Sequence, residues 1–256
     1  MKYYLIAGEA SGDLHGSNLM LSLQELDNHS IFRYWGGDKM SQVGGELVEH
    51  YRNMAFMGFV EVIKNLRTIL GFIKKCKYDI LDFAPDVLIL IDYPGFNLRM
   101  ATWAKKKGIK VVYYITPQVW AWHKSRVHVL GRYTDKLLVI LPFESDFFKN
   151  YGYDATYVGH PLMDAVIKFQ CDPDFTKYKN KNKKILALLP GSRKQEINSM
   201  LPVMLEAIQG EPYIILLAGA PSIDDQLYRQ IITAKKMQDE VHLIRNQTYN
   251  ILSIAD

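Results

Sequence analysis

The sequence is poor in cysteine and contains no long apolar segment. Cys76 and Cys171 are too few for a disulfide framework and lack a zinc-ligand spacing, which favours free thiols in a reducing compartment. The longest apolar runs, such as residues 87–91 and 214–220, are far shorter than the ~20 residues that span a bilayer. The short strand-like segment after Met1 does not match the apolar region of a secretory signal. We therefore expect a cytoplasmic protein whose contact with a membrane is peripheral.

Metal-ligand patterns and a strong charge of one sign are also lacking. The seven histidines show no H-x-x-x-H or similar spacing. Asp172 and Asp174 match the Asp-x-Asp metal pattern of some glycosyltransferases, but they lie in a polar segment and not at a strand end. The net charge of +4 over 256 residues is mildly basic, which suits an anionic ligand or an anionic membrane surface. We predict no metal, no cofactor and no nucleic-acid partner.

Short apolar runs alternate with helical patterns along the chain, which is typical of βα units around a parallel sheet. Predicted strands in the first part are residues 3–7, 32–35, 87–91, 110–115, 136–141 and 155–158. After a segment rich in Lys, Asn, Asp and Pro, the rhythm restarts with strands at 185–189, 213–218 and 241–244. We predict two doubly wound, Rossmann-like halves: residues 1–170, a linker at 171–184, and residues 185–256. The second half is expected to be incomplete, because such a half normally has five or six strands.

Two turns in the first half carry groups that suit a ligand site. Ser11 and Gly12 lie where the first strand meets the first helix, so backbone amides there can approach an anion. An ordinary tight turn, with Ser11 or Asp13 as a helix cap, is the alternative. Asp92 ends the strand at 87–91, at the edge where α/β folds bind ligands, and a carboxylate there can act as a general base. Capping of the next helix is the alternative for Asp92.

Aromatic, cationic and imidazole groups follow later strands. Trp120 and Trp122 can line an acyl or sugar site, and Lys124 or Arg126 can meet a phosphate. Packing under a loop is the alternative for the rings. His160 lies between the two halves, where it can hydrogen-bond a ligand or have a structural role.

The second half opens with the same strand, turn and helix order. Gly191 and Ser192 form the turn, and Arg193 adds a fixed cation where a leaving diphosphate would develop charge. Capping of the helix by Ser192 and Glu196 is an alternative that is compatible with this role.

An amphipathic helical pattern covers residues 59–73. One face of this pattern is an apolar stripe, and the other face carries lysines and an arginine. An apolar run at 54–59 precedes the pattern. Such a helix can lie on an anionic bilayer or admit a lipid, but packing against the sheet is the commoner outcome.

Seven motifs, taken together and in this order, resemble one family, the lipid-A-disaccharide synthases of Gram-negative bacteria. They are AGEASGD at 7–13, MGFVEV at 57–62, IDYPGFN at 91–97, PQVWAW at 117–122, LPFE at 141–144, GHP at 159–161 and LLPGSR at 188–193. The resemblance implies a GT-B fold and an inverting, metal-independent glycosyltransferase. It further implies transfer of 2,3-diacylglucosamine from UDP to the 6-hydroxyl of 2,3-diacylglucosamine 1-phosphate, giving a β-1,6-linked disaccharide 1-phosphate and UDP. Both substrates are acylated, so work at the cytoplasmic face of the inner membrane is implied, and a homodimer is compatible with the resemblance.

The resemblance also assigns roles to residues. Asp92 becomes the general base, and Gly191, Ser192 and Arg193 become the group that holds the diphosphate. Substrate contacts are expected from Ser11, Gly12, Trp120, Trp122 and His160. Membrane or acyl contacts are expected from Met54, Phe56, Met57, Phe59, Val62, Ile63, Leu66 and Ile69.

This chain departs from the family in two ways. Gly95 stands where the family often has a second acidic residue, so Asp92 alone inherits the base role. The family is also longer, and its additional part carries donor-site residues.

Two other functions are compatible with parts of the sequence. One is another GT-B enzyme, a UDP-GlcNAc-using transferase or epimerase with a soluble acceptor, against which the apolar surface at 54–73 argues. The other is a non-catalytic lipid- or nucleotide-binding module, against which Asp92 and Arg193 argue.

Overall fold

Seven parallel strands form the sheet of the first unit in the computed structural model, which describes residues 1–54, 66–179 and 183–256. The side chains of Leu66, Arg67, Ala165 and Lys168 also lie outside the description. The strands are β1 (Lys2–Ala7), β2 (Ile31–Gly36), β3 (Glu46–His50), β4 (Val87–Ile91), β5 (Val111–Tyr114), β6 (Lys136–Val139) and β7 (Thr156–Tyr157). Their order, β3-β2-β1-β4-β5-β6-β7, is that of a doubly wound sheet, and the order of the strands reverses between β1 and β4.

Helices cover both faces of this sheet. Among the described residues, the helices that begin in this unit are α1 (Ala10–Leu26), α2 (Asp38–Val43), α3 (Tyr51–Met54), α4 (Leu66–Phe83), α5 (Pro94–Lys106), α6 (Arg126–Tyr133), α7 (Pro142–Lys149) and α8 (Pro161–Lys168), the last of which continues into the second unit. Alternate residues of β1 point into different cores: Tyr4 and Ile6 pack with residues of α4 and α5, whereas Leu5 packs with Met20 of α1. Burial on both faces explains why β4 is apolar along its whole length and why β1 carries no charged residue after Lys2.

The second unit, Asp164–Asp256, is built around a three-stranded parallel sheet in the part of the chain that the structure describes. Its strands are β8 (Ile185–Leu188), β9 (Ile214–Gly219) and β10 (Val241–Arg245), in the order β10-β9-β8. The helices that follow them are α9 (Lys194–Ala207), α10 (Asp225–Ala234) and α11 (Thr248–Ile254). The first unit is Met1–Met163.

Two features differ from the sequence-based expectation. β3 was not predicted, because Glu46 and Glu49 interrupt its apolar pattern; it is an edge strand, where charged side chains reach solvent. Within the predicted linker, Pro173–Tyr178 forms a 3₁₀ helix whose Phe175 is buried against the second sheet. The ring of Phe175 therefore anchors part of the predicted linker to the second unit, while most of its polar neighbours stay exposed.

Among the described residues, no helix combines the length and the apolarity that crossing a membrane requires.

Candidate functional site

The strongest candidate site lies where strand order reverses, at the carboxyl ends of β1 and β4. Pairing of Ala7 with Ile91 brings Gly8 beside Asp92. The ring of Tyr93 covers Gly8 so closely that a Cβ at this position would lie 2.3 Å from a ring carbon. Position 8 therefore accepts only glycine while Tyr93 stays in place. Ligands of doubly wound folds bind at this crevice, so Asp92 is placed as predicted from its strand.

Asp92 is half-buried and its backbone is strained. Asp92 and Tyr93 both have left-handed conformations, with φ of +44° and +48°, and Ile115 at the end of β5 has φ of +61°. Non-glycine residues in this region cost roughly 1–3 kcal/mol each and cluster at functional sites. Helix α5 has Tyr93 at its N-cap position and no side-chain cap, so the alternative role of Asp92 as the helix cap is not what the structure shows.

The buried hydroxyl of Tyr113, beside Asp92, is affected by one negatively and one positively charged side chain. Burial raises the pKa of Tyr113 well above its ordinary value; the negative charge of Asp92 adds to this, and Arg126 lowers the pKa. The Asp92 carboxylate and the half-buried Arg126 guanidinium therefore both lie within electrostatic range of Tyr113. At such a sheet edge, a carboxylate can accept the proton of a substrate hydroxyl, and a cation can stabilise the negative charge that develops during the reaction.

The three residues Ser11, Gly12 and Asp13, which follow β1, have different surroundings. Ser11 is exposed in the first turn of α1, and no side chain caps that helix at Glu9. Gly12 packs against the strand, since a Cβ there would lie 3.1 Å from the Cβ of Ala7. Asp13 is buried and does not cap α1. Its carboxylate accepts hydrogen bonds from three backbone amides at the start of α2, those of Gly37, Lys39 and Met40, at 2.8–3.1 Å.

The aromatic and imidazole candidates lie further along the same sheet edge. Trp120 is half-buried and packs edge-on against Phe143 at the start of α7, with ring centroids 5.1 Å apart. Its indole N–H is buried without a partner among the described residues. Trp122 is 70% exposed, and its ring lies at a tilt of 34° to that of His123, with centroids 5.6 Å apart. His160 is half-buried, and its Nδ1 accepts a hydrogen bond from the amide of Leu162 at 3.3 Å.

Two of the residues predicted to contact the membrane or an acyl chain pack against the protein core. Met54 is buried in the core, and its carbonyl accepts a hydrogen bond from the Tyr93 hydroxyl at 3.0 Å. Ile69 packs against the same core, together with the buried Ile73. Of the described residues in the predicted stripe, Ile69 and Ile73 thus face the protein core, whereas Leu70 is 52% exposed. Phe56, Met57, Phe59, Val62, Ile63 and the side chain of Leu66 lie outside the described residues.

A second candidate site lies at the carboxyl ends of the strands of the second unit. A cavity of about 370 Å³ opens there, within the range of small-molecule sites. Its lining residues come from the ends of all three strands: Leu189, Gly191, Ser192, Ala218, Gly219, Ala220, Pro221, Asn246 and Thr248. Gly191 and Ser192 were predicted, whereas the residues after β9 and β10 were missed.

Some of the lining residues that were missed could have been recognised from the sequence. The run of small residues at 218–221 directly follows an apolar strand, as does the glycine-containing turn after β8. The amide of Ala220 in this run donates to the buried hydroxyl of Tyr228 at 2.9 Å, which fixes the wall of the cavity. The side chain of Tyr228 comes from α10, so only the fold reveals that contact.

The turn after β8 is closed by a carboxylate. Gly191 has φ of +110°, and a Cβ there would lie 2.4 Å from Glu196 Oε2. The same oxygen accepts hydrogen bonds from the amides of Ser192 and Arg193 at 3.0 and 3.2 Å, and Arg193 Nη1 lies 3.3 Å from Glu196 Oε1. Helix capping by Glu196, expected as a compatible alternative, therefore occupies two amides that were candidates for a diphosphate.

Comparisons with known proteins place both units in one family. Residues 3–256 match the family described as lipid-A-disaccharide synthetase. The lipid-A-disaccharide synthase of Trichlorobacter lovleyi is 41% identical over 230 residues, covering 86% of this chain and 60% of that protein. The synthase of Syntrophus aciditrophicus is 40% identical over 259 residues, covering 98% of this chain and 67% of that protein. The chain thus spans 60–67% of the length of these relatives.

Solved structures show the same architecture at low sequence identity. A UDP-GlcNAc 2-epimerase from Neisseria meningitidis bound to UDP-GlcNAc matches with a TM-score of 0.68 and 13% identity, covering 98% of this chain and 74% of that chain. The calicheamicin glycosyltransferase CalG4 matches with a TM-score of 0.53 and 14% identity, covering 99% and 72%. At 13–14% identity, these matches are evidence for the fold alone. They confirm the predicted GT-B fold.

The family match runs through both units, and it includes the strand ends that carry Asp92 and Arg193. The chain therefore belongs to the lipid-A-disaccharide synthase family.

Proposed function

We propose that this chain supplies the base and part of the donor site of an inverting glycosyltransferase. In this reaction 2,3-diacylglucosamine passes from UDP to the 6-hydroxyl of 2,3-diacylglucosamine 1-phosphate, and UDP is released. Family membership supports the reaction class. The observation that carries the proposal is the placement of Asp92, half-buried on a strained turn where strand order reverses.

The chemistry asks for one base and for stabilisation of the leaving group. The Asp92 carboxylate accepts the proton of the acceptor 6-hydroxyl as that oxygen forms a bond to the anomeric carbon of the donor. The bond from that carbon to the UDP oxygen breaks, and UDP leaves with the electron pair. A single displacement inverts the anomeric carbon and requires no covalent intermediate on the protein.

We assign donor binding to the cavity of the second unit. Its volume of about 370 Å³ suits part of a nucleotide sugar, and Gly191 and Ser192 line it. The Neisseria epimerase, which shares the fold, is bound to UDP-GlcNAc. Arg193 stands beside the turn and offers the cation, although Glu196 now accepts from its amide and that of Ser192. The diphosphate is therefore expected to meet the Arg193 guanidinium in preference to those two amides.

We also propose that the enzyme contacts the cytoplasmic face of the inner membrane peripherally, since both substrates carry acyl chains. The exposed face of α4 supports this contact. Leu70, Tyr78 and Leu81 are 52%, 65% and 50% exposed, and Lys74 lies among them with its ammonium 5.8 Å from the ring centre of Tyr78. Apolar and basic groups on one helix face suit an anionic lipid surface.

Replacement of Asp92 by Asn tests the central assignment. The amide keeps the shape of the side chain but cannot accept the proton, so turnover of the whole protein that carries this sequence should fall by about 10²–10⁴-fold. UDP binding should persist, because the cavity belongs to the other unit. The measurement is initial rates with both acyl-sugar substrates, together with calorimetric titration of UDP.

Asp86→Asn is the matched control, because Asp86 is exposed just before the opposite end of β4, where it accepts from the amide of Lys2 at 2.7 Å. Turnover of Asp92→Asn equal to that of this control would remove Asp92 as the base.

A further inference from the structure

Two buried side chains from different elements converge on the carbonyl oxygen of Asp92. Tyr113 of β5 donates its hydroxyl to this oxygen at 2.7 Å, and Asn97 of α5 donates its side-chain Nδ2 at 2.8 Å. The amide of Asp92 itself donates to the carbonyl of Tyr114 at 3.1 Å. Both polar groups of the Asp92 peptide backbone are therefore held by neighbouring elements.

Asn97 joins the ends of two strands at this point. Its Nδ2 also lies 3.1 Å from the carbonyl oxygen of Ile91 and 3.4 Å from that of Ile6. Three carbonyl oxygens surround this end of a fully buried side chain, so only a hydrogen-bond donor is accommodated there. An aspartate, which accepts only, would face three acceptors.

Tyr113 is equally fixed as a donor. Its side chain is fully buried. Burial, together with the charge of Asp92, raises the pKa of Tyr113 well above its ordinary value, so the hydroxyl keeps its proton at every working pH.

Tyr113 and Asn97 hold a strained backbone turn at Asp92 that would relax without them. Asp92 and Tyr93 are consecutive non-glycine residues with φ of +44° and +48°, and strained conformations of this kind persist only where surrounding contacts over-determine them. The direction of the Asp92 side chain follows from this backbone. Loss of one donor allows the turn to relax and the carboxylate to move away from the acceptor hydroxyl.

We infer that Tyr113 and Asn97 are positioning residues, which hold the carbonyl of Asp92 so that its carboxylate points at the acceptor hydroxyl. The inference rests on the proposed function of Asp92. It adds two residues that touch no reacting atom and act through the backbone of the base.

Tyr113→Phe tests this in the whole protein, because it removes one hydroxyl and preserves the ring. We expect kcat to fall by about 10–100-fold, the size of effect that a misplacement of about 1 Å produces, with the KM values of both substrates nearly unchanged. The exchange rate of the Asp92 amide hydrogen should rise. Tyr34→Phe is the matched control: Tyr34 is buried on β2, and its hydroxyl donates to Ser41 Oγ at 3.2 Å, away from Asp92.

The same change in an Asp92→Asn background separates positioning from general packing. If Tyr113 acts through the carboxylate, Tyr113→Phe causes no further loss of kcat once that carboxylate is gone. A full additional loss there, or a kcat for Tyr113→Phe equal to that of Tyr34→Phe, overturns the inference while the base role stands. High turnover of Asp92→Asn by itself overturns the proposed base and the inference with it.

Discussion

Carboxylates near helix starts have two different roles at the residue scale. Asp13, Glu144 and Glu196 each accept hydrogen bonds from backbone amides, which satisfies donors that the start of a helix leaves unpaired. Each of these residues belongs to or follows a family motif, yet each is explained by a helix start: Glu144 and Glu196 accept from amides at the start of their own helices, and Asp13 accepts from amides at the start of α2. Asp92 differs, since the helix after it begins without a side-chain cap.

The cap formed by Glu196 has a definite dependence on pH. Hydrogen bonds from the Ser192 amide, followed by that of Arg193, hold the pKa of Glu196 below its ordinary value of 4.5. A lowered pKa in the folded state means that the charged cap stabilises the fold above pH 4.5. This contribution is lost as the pH falls through the lowered value. The effect is small because the side chain is 39% exposed.

Glu196→Gln should therefore lower the free energy of unfolding by roughly 0.5–1 kcal/mol at pH 7, the usual worth of an exposed negative charge at a helix start. The difference from the unsubstituted protein should shrink below pH 4.5 and vanish at lower pH. Urea unfolding of both proteins between pH 3 and 7 provides the measurement. A difference that is constant over this range would contradict a charged cap.

At the scale of elements, α4 combines two faces with separate uses. Ile73, Cys76 and Ile80 pack into the core, whereas Leu70 and Leu81 lie exposed on the opposite side. The sequence pattern showed that an apolar stripe exists but could not decide whether protein or lipid covers it. Burial shows that protein covers Ile73, Cys76 and Ile80, and it leaves Leu70 and Leu81 as the proposed membrane contact.

Leu70→Ser combined with Leu81→Ser should weaken binding to vesicles that contain anionic lipids. Each side chain is about half exposed, so its transfer into lipid contributes on the order of 1 kcal/mol, and the pair should cost about tenfold or more in affinity. Vesicle sedimentation measures the change. Leu26→Ser is the control, since Leu26 is highly exposed at the end of α1. An equal loss of vesicle affinity in Leu26→Ser would show that the exposed face of α4 is not a specific membrane contact.

Strands were easier to predict from the sequence than were the contacts at their ends. Val87–Ile91 is found with the predicted bounds because burial on both faces leaves an uninterrupted apolar run. The same logic located Asp92 and Gly191 at strand ends. It could not show that Asn97 and Tyr113 meet at one carbonyl, because that contact joins β4, β5 and α5. The charged edge strand β3 was missed for the opposite reason, a lack of apolar periodicity.

At the scale of the whole molecule, each unit has hydrophobic cores of its own. Leu130 belongs to a core in Met1–Met163, and Leu201 belongs to a core in Asp164–Asp256. Each core cluster of the described residues draws its members from one unit only. The units therefore have separate sources of stability, and a ligand of one unit need not stabilise the other.

Leu130→Ala and Leu201→Ala should each lower the unfolding temperature of one unit only. Both side chains are fully buried, so truncation should cost about 2–5 kcal/mol in the unit that contains it. Calorimetry of the unsubstituted protein should resolve two transitions, and each variant should shift a different one. UDP at about 100 times its Kd should raise only the transition that Leu201→Ala lowers, by about 2.7 kcal/mol of stabilisation, because the proposed donor cavity lies in that unit. A single transition shifted by both variants would mean that the two units unfold together, and a UDP effect on the other transition would move the donor site to the first unit.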